Sequence, residues 1–423
     1  MQSYSTFKCI MLYSLLIIFF TLGYLAIIFE RFLHVNKAAI ALTMGALCWL
    51  LFFVYLPPDF SAVYMAEQIY DVSQIIFFLL AAMVIVELID SHHGFKVITD
   101  MLYSSSKRRM LWFLVGMSFF MSAVLDNLTT MIVMISLLKK LLENKQERWF
   151  IGSLLVIAVN AGGAWTPIGD VTTTMLWIGN KITTGTTIRT LFLPSLTCTV
   201  VAGLFGTLFF KGNHQEKPTS FHLPMEPGAR RVLCMGIGAL IMVPFWKGLF
   251  NLPPFLGALL GLGILWLTTD IIHHHYGEKR GHLRVAHILT KIDTSGILFF
   301  LGILLAVDAL TQAGILKDFA NWLQTIVPSE SGVAVLIGLI SSIIDNVPLV
   351  AATMGMYEAP RDSPLWLMIA YAAGTGGSVL IIGSAAGVAF MGLEKVDFIW
   401  YLKHISWIAL IAYFAGFGVY LIT

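Results

Sequence analysis

The sequence predicts an all-α polytopic membrane protein: two inverted repeats, with about ten spanning helices, two re-entrant hairpins and two broken helices. Three observations lead there. The 423 residues are 58% hydrophobic and only 12% charged, with a mean hydropathy of +0.83, whereas soluble domains carry about a quarter charged residues. The apolar residues come in blocks of about 20, the length that crosses a bilayer. Four blocks are interrupted by polar or glycine-rich centres, which an ordinary spanning helix does not need.

The apolar blocks fall near residues 9–29, 38–57, 72–90, 110–138, 150–178, 190–210, 229–250, 254–272, 294–312, 331–357, 364–393 and 399–422. The first follows Lys8, runs into Glu30 and Arg31, and lacks a small-residue cleavage site, so a retained helix is expected. The interrupted blocks are 110–138 ("LDN"), 150–178 ("NAGGAWTPIGD"), 331–357 ("IDNVP") and 364–393 ("GTGGS…GSAAG"). Cys9, Cys48, Cys198 and Cys234 are widely separated and read as small apolar residues rather than metal ligands.

Basic residues set the expected topology. If 110–138 and 331–357 enter and leave on the same side, 20 of the 26 Lys and Arg fall on one face, which the positive-inside rule makes cytoplasmic. "SKRR" before the first hairpin and Lys139, Lys140, Lys145 and Arg148 after it both then lie inside. Both termini are expected outside, in the plasma membrane of a prokaryote.

The halves match each other. "IIFFLLAAMVIVEL" (Ile75 to Leu88) pairs with "ILFFLGILLAVDAL" (Ile297 to Leu310), "LDN" with "IDN", and "NAGG" with "GTGG". Five crossings per half invert the second copy. The expected organisation is a first repeat at 1–212 (hairpin about 110–142, broken helix 150–178), a cytoplasmic linker at 213–228, and a second repeat at 229–423 (hairpin 331–357, broken helix 364–393). Inverted repeats with paired interrupted helices point to a secondary transporter.

Irregular backbone at membrane depth must face protein or a watery cavity. Hairpin tips and helix breaks meeting there would collect oxygens suited to a hard cation. The candidates for cation and proton binding, with Na+ as the metal, are Asp126, Asn127, Thr129 and Thr130 from the first hairpin, and Asn160, Asp170, Thr172 and Thr173 from the first break. The second half offers Ser341, Asp345, Asn346, Thr375 and Ser378. Ser122, Thr166, Ser342 and Ser384 lie in the same stretches. A carboxylate near the bilayer centre costs about 2.5–3.5 kcal/mol on insertion scales and persists where a proton or cation neutralises it. Glu87 and Asp308 are accessory acids, equally readable as marks of helix ends. The glycine pairs Gly162–Gly163 and Gly376–Gly377 are readable as unwound points or as close-packing sites. The phosphate-binding glycine motif of ATP-driven transporters is absent from the sequence, and neither a cofactor, an enzymatic site nor a nucleic-acid partner is expected.

"FFLLAAMVIVELIDSHHGF", "SAVLDNLTTM", "NAGGAWTPIGDVTTTMLWIGN" and "FFLGILLAVDAL" resemble the NhaD-type sodium/proton antiporters of the Ion Transporter superfamily, over almost the whole chain. The resemblance implies electrogenic export of Na+ or Li+ against inward protons. It places translocation at Asp126, Asn127, Asp170, Thr172, Thr173, Asp345 and Asn346. The chain departs from the pattern at Asp308, where a small residue is expected. The alternative is an arsenite-type anion permease or a sodium-coupled carboxylate symporter of the same superfamily. The symporters carry Ser-Asn-Thr tips, where this chain has Asp-Asn. A homodimer is compatible with the resemblance. All eleven histidines fall on the expected cytoplasmic side, and His273, His274 and His275 are candidates for sensing internal pH, with loop filling as the plainer role.

Overall fold

The computed structural model describes residues 2–55, 58–94, 106–209, 226–250, 252–343 and 345–423. Among the described residues the regular elements are helices, with no strand. In chain order the principal helices are α1 (Gln2–Ile28), α2 (Lys37–Tyr55), α3 (Pro58–Ser91), α4 (Lys107–Ser122), α5 (Asn127–Leu141) and α6 (Lys145–Ala164). Then come α7 (Val171–Ile178), α8 (Thr184–Phe209), α9 (Ala229–Phe250), α10 (Pro254–His273), α11 (Thr294–Gln312) and α12 (Ile315–Ile326). The chain closes with α13 (Glu330–Ser341), α14 (Asn346–Met356), α15 (Pro364–Gly376), α16 (Ala385–Glu394), α17 (Phe398–His404) and α18 (Ser406–Ile422).

Seven of these (α1, α2, α3, α8, α9, α10 and α11) are long and apolar enough to cross a membrane. The protein is a multi-pass membrane protein. Two bent pairs, α12–α13 and α17–α18, pass the same test when each is taken together. The sequence expectation of about ten crossings counts the pairs α6–α7 and α15–α16 as one broken helix each, which is why continuous helices alone give fewer. The expected linker at 213–228 lies outside the described residues except for 226–228.

The chain forms two compact units, each drawing on both halves of the sequence. The first comprises Met1–Leu80, Asp293–Val333 and Val347–Ala359. Its centre is the contact of α2 with α11. Gly302 sits directly on the backbone of Ala41 and Leu42, and Gly45 on the carbonyl of Gly302, so a Cβ at either would meet backbone. That approach brings the buried Trp49 indole to donate to the Leu305 carbonyl at 3.0 Å. In α12, Ile315, Leu316, Ala320 and Leu323 face inward while Phe319, Trp322 and Ile326 are exposed, the amphipathic spacing of a helix with one packed side. Asp308 on α11 is half-buried, its Oδ2 without a hydrogen-bond partner.

The second unit comprises Ala81–Ile292, Ala334–Asn346 and Pro360–Thr423. It holds the helix pairs α4–α5, α6–α7 and α15–α16 complete, the stretches expected as the first hairpin and the two broken helices. The broken helices run antiparallel. At one end Trp149, near the start of α6, donates from Nε1 to the carbonyl of Glu394, the last residue of α16, at 3.1 Å. At the other, the Lys181 carbonyl just past α7 accepts from the Asp362 N–H just before α15, at 2.8 Å. The two breaks use the same close approaches. Gly162 lies on the Phe119 backbone of α4 and Gly376 on the Gly338 backbone of α13. Gly163 lies on Gly169 and Gly377 on Gly383, while Gly169 abuts the Ser122 carbonyl and Gly383 the Ser342 carbonyl. Of the cysteines with described side chains, Cys48 and Cys198 are buried, while Cys234 on α9 is exposed.

Since the neighbours of Gly302 are backbone atoms that cannot rotate away, Gly302→Ala should destabilise the first unit by about 1–3 kcal/mol, the usual range for overpacking. A lowered melting temperature of the detergent-solubilised protein is the expected readout.

Candidate functional site

The links between α4 and α5 and between α6 and α7 position the site. α4 stops at Ser122 and α5 begins at Asn127. Asp126 is the N-cap: its Oδ1 accepts from the Thr129 N–H at 2.8 Å and its Oδ2 from the Thr129 hydroxyl at 2.6 Å. The carbonyl of Ala123, left over where α4 ends, accepts from the Thr166 hydroxyl at 2.6 Å. α6 stops at Ala164, and "WTPIG" carries the chain to Asp170, the N-cap of α7. Pro167 has no N–H for a continued helix, and its carbonyl accepts from the Thr174 hydroxyl at 2.9 Å.

Asp170 is the hub. It is 2% exposed. Its Oδ1 accepts from Asn127 Nδ2 at 3.1 Å, and its Oδ2 from the Thr172 hydroxyl at 2.6 Å and from Asn346 Nδ2 at 3.5 Å. Asn127 Nδ2 also donates to Asn160 Oδ1 at 3.3 Å. Asn160, fully buried, passes the network on: its Nδ2 donates to Ser378 at 2.9 Å and to Ser384 at 2.8 Å. Ser384 caps α16, accepting from the Gly387 N–H at 3.1 Å. The first tip, the first break, Asn346 and the second break thus share one buried polar network within one unit. Asp345 adjoins Asn346 and acts electrostatically on Asp170.

Other sequence candidates fall outside this network. Thr129 serves the Asp126 cap. Thr130 is buried with no hydrogen-bond partner for its hydroxyl. The hydroxyl of Thr173 donates to the Ala164 carbonyl at 3.4 Å, that of Ser341 to Ala373 at 2.8 Å, and that of Thr375 to Tyr371 at 2.6 Å. Glu87 accepts from Ser91 at 3.1 Å and lies 3.9 Å from Lys291, a half-exposed ion pair; Asp308 belongs to the other unit. His274 is exposed, and the side chain of His275 lies outside the described residues. His273 is buried against His92, with Nε2 to Nε2 2.8 Å, while His92 Nδ1 donates to the Leu88 carbonyl at 2.7 Å. Sequence reasoning missed His92, the buried Glu394, and the reach of Lys247 to the Trp177 carbonyl. A lysine late in the apolar "LIMVPFWKGLF" was the available signal for the last.

Four helices have their first residues at the network: α5, α7, α16 and, at Asn346, α14. Each N-terminus carries roughly half a positive charge, or roughly +2 together. Asp126, Asp170 and Asp345 carry roughly −3 when ionised. The balance is negative, which suits a monovalent cation or protons and disfavours an anion.

Paired broken helices meeting at a buried polar network define a membrane carrier. The sequence matches the citrate transporter family over residues 24–374. It is 49% identical over 410 residues to sodium/proton antiporter 1 of Arabidopsis thaliana, spanning 95% of this chain and 71% of that one. Against sodium/proton antiporter 2 of the same plant it is 47% identical, spanning 95% and 97%. Against the Na(+)/H(+) antiporter NhaD of Halomonas elongata it is 29% identical, spanning 93% and 84%. The chain belongs to the citrate transporter family, in the NhaD-type branch that its motifs resemble. The family is one of transporters, not enzymes.

Asp126→Ala removes the cap of α5 and should lower stability by about 1 kcal/mol, whereas Asp126→Ser, which can still cap, should lose less; thermal melts of the two variants make the comparison. His92 lies just beyond α3, and its burial pushes the imidazole down from 6.5 to about 4, against a smaller opposing effect of the Leu88 carbonyl. Between those values the unfolded chain binds a proton that the folded one does not, so stability should fall as pH drops from about 6.5 toward 4. His92→Phe should flatten that part of the melting-temperature profile.

Proposed function

We propose that this chain exchanges cytoplasmic Na+, or Li+, for external protons, with the network around Asp170 as the shared cation and proton site. The single observation that carries the reading is Asp170 itself: a buried carboxylate accepting from Asn127, Thr172 and Asn346. The carboxylate oxygens and the side-chain oxygens of Asn127, Asn160, Asn346, Ser378 and Ser384 are the hard ligands that Na+ prefers. Asp345 supplies a second acid beside Asn346. Competition of a proton and a cation for the same oxygens yields exchange. The names of the plant and bacterial relatives support the same ions.

The matched glycine contacts at the two breaks support the repeat reading, with 1–212 and 229–423 as inverted copies. The proposed membrane is the plasma membrane of a prokaryote, for which the bacterial source of some relatives speaks, with both termini outside, as the placement of the basic residues favours. The higher identity to plant proteins makes a eukaryotic membrane the second reading. Sensing of internal pH remains part of the proposal at His273, through its pair with His92. A second functional reading, transport of an organic anion, has the family's description in its favour and the negative charge balance of the site against it.

Everted vesicles lacking other antiporters, with an acidified interior, test the reading. Added Na+ or Li+ should collapse the proton gradient, while citrate or arsenite should not. Asp170→Asn should slow the exchange by about tenfold or more, the loss expected when a charge-assisted buried site is neutralised. Asp345→Asn should act in the same direction. If no alkali cation moves protons at any pH, the antiport reading falls.

A further inference from the structure

The site lies at the N-terminal ends of two short helices, α7 and α16, and the C-terminal end of each is held by basic side chains of neighbouring helices, one from α9 at α7 and two, from α5 and α6, at α16. For α7, Lys247 on α9 donates to the Trp177 carbonyl, and its ammonium sits 4.3 Å from the centroid of the Trp177 ring. For α16, Lys139 donates to the Leu393 carbonyl at 3.1 Å and lies 3.6 Å from the Glu394 carboxylate. Arg148 Nε donates to Glu394 Oε2 at 3.0 Å, and its Nη1 ties down the Leu142 and Glu143 carbonyls at 2.9 and 2.8 Å. The Glu394 side chain is only 2% exposed.

A buried helix C-terminus needs donors for its last carbonyls, and that need alone accounts for a lysine at such a place. What it leaves unexplained is that both short helices of the site carry the same device. The Lys247 contact and the Lys139–Arg148–Glu394 group belong to antiparallel broken helices, so they lie at opposite ends of the unit. α7 has 8 residues and α16 has 10, spans of about 12 and 15 Å. Helices this short move as rigid pieces, and beyond its N-terminus each is joined to its other half only through a non-helical break. A tilt of about 5° at the C-terminal end of α7 displaces Asp170 by about 1 Å. Cation sites are sensitive to shifts of that size, because ligand distances set both affinity and size selectivity.

We propose that Lys247, and Lys139 with Arg148 acting through Glu394, are positioning residues of the cation site. They hold the far ends of α7 and α16 and so set the distance between the oxygens around Asp170 and those around Ser384. The proposal rests on the reading of this network as the cation site. The charge also matters, since an ammonium at a helix C-terminus offsets the negative end of its dipole.

The test compares the full-length wild type with Asp170→Asn, Lys247→Met, Lys247→Arg and Glu394→Gln in everted vesicles. Half-saturating Na+ and Li+, maximal rate and amount of protein in the membrane are measured for each. Lys247→Met should raise half-saturating Na+ by about tenfold, as loss of an outer-shell support does at metal sites, with the maximal rate little changed and the Na+ to Li+ preference altered. Lys247→Arg, which keeps donor and charge, should restore both values. Glu394→Gln should shift them in the same direction as Lys247→Met. If Lys247→Met fails to accumulate, Glu394→Gln decides by the same two values. Wild-type half-saturation and ion preference in the accumulating variants overturn the positioning role, and so does a loss confined to maximal rate. A wild type without cation-dependent proton movement, or an unaffected Asp170→Asn, overturns the site itself instead.

Discussion

The Asp170 carboxylate accepts two carboxamide hydrogen bonds and one hydroxyl hydrogen bond in a setting where an unpaired charge is heavily penalised. Its donors come from separate stretches of chain: Asn127 starts α5, Thr172 lies in the first turn of α7, and Asn346 starts α14. Each is exposed to the network only because a helix stops or begins there. A continuous helix through 110–138 or 150–178 would direct these groups around its own cylinder, and the carboxylate would lose its partners. The interrupted backbone and the buried acid therefore require one another.

Glycine makes the convergence sterically feasible. Gly162 and Gly376 let α6 and α15 touch the backbones of α4 and α13, and Gly169 and Gly383 let the breaks fold against Ser122 and Ser342. A side chain at any of these positions would push a break away from its hairpin and open the network. The two glycine readings of the sequence, unwound point and packing site, thus describe one arrangement: Gly163 and Gly377 mark where helix ends, and the same residues lie against Gly169 and Gly383.

The electrostatics separate this site from one built for an anion. Helix N-termini alone would attract a carboxylate substrate, as the broken helices of anion carriers do. Here an aspartate directly precedes three of the four helix starts at the network, Asp126, Asp170 and Asp345, and Ser384 precedes the fourth, so local negative charge outweighs the dipoles when the three are ionised.

The sequence by itself determined the membrane class, the positions of nearly all the helices, and the four interruptions. Hydropathy over some 20 residues and the residues "LDN", "IDN" and "NAGG" are local signals, readable without contacts. It also supplied Asp170, Asn127, Asn160, Asn346 and Ser378 as candidates, because polar groups at membrane depth stand out by type. Only the tertiary structure shows how they connect. Asp126, Asp170 and Asp345 look alike in the sequence, yet Asp126 is spent on Thr129 while Asp170 gathers donors from residues 43 and 176 positions away. The same holds for Lys247, 70 residues from Trp177, and for Glu394, 246 residues from Arg148. Such pairings depend on which helices pack together, and no local pattern of residues encodes that.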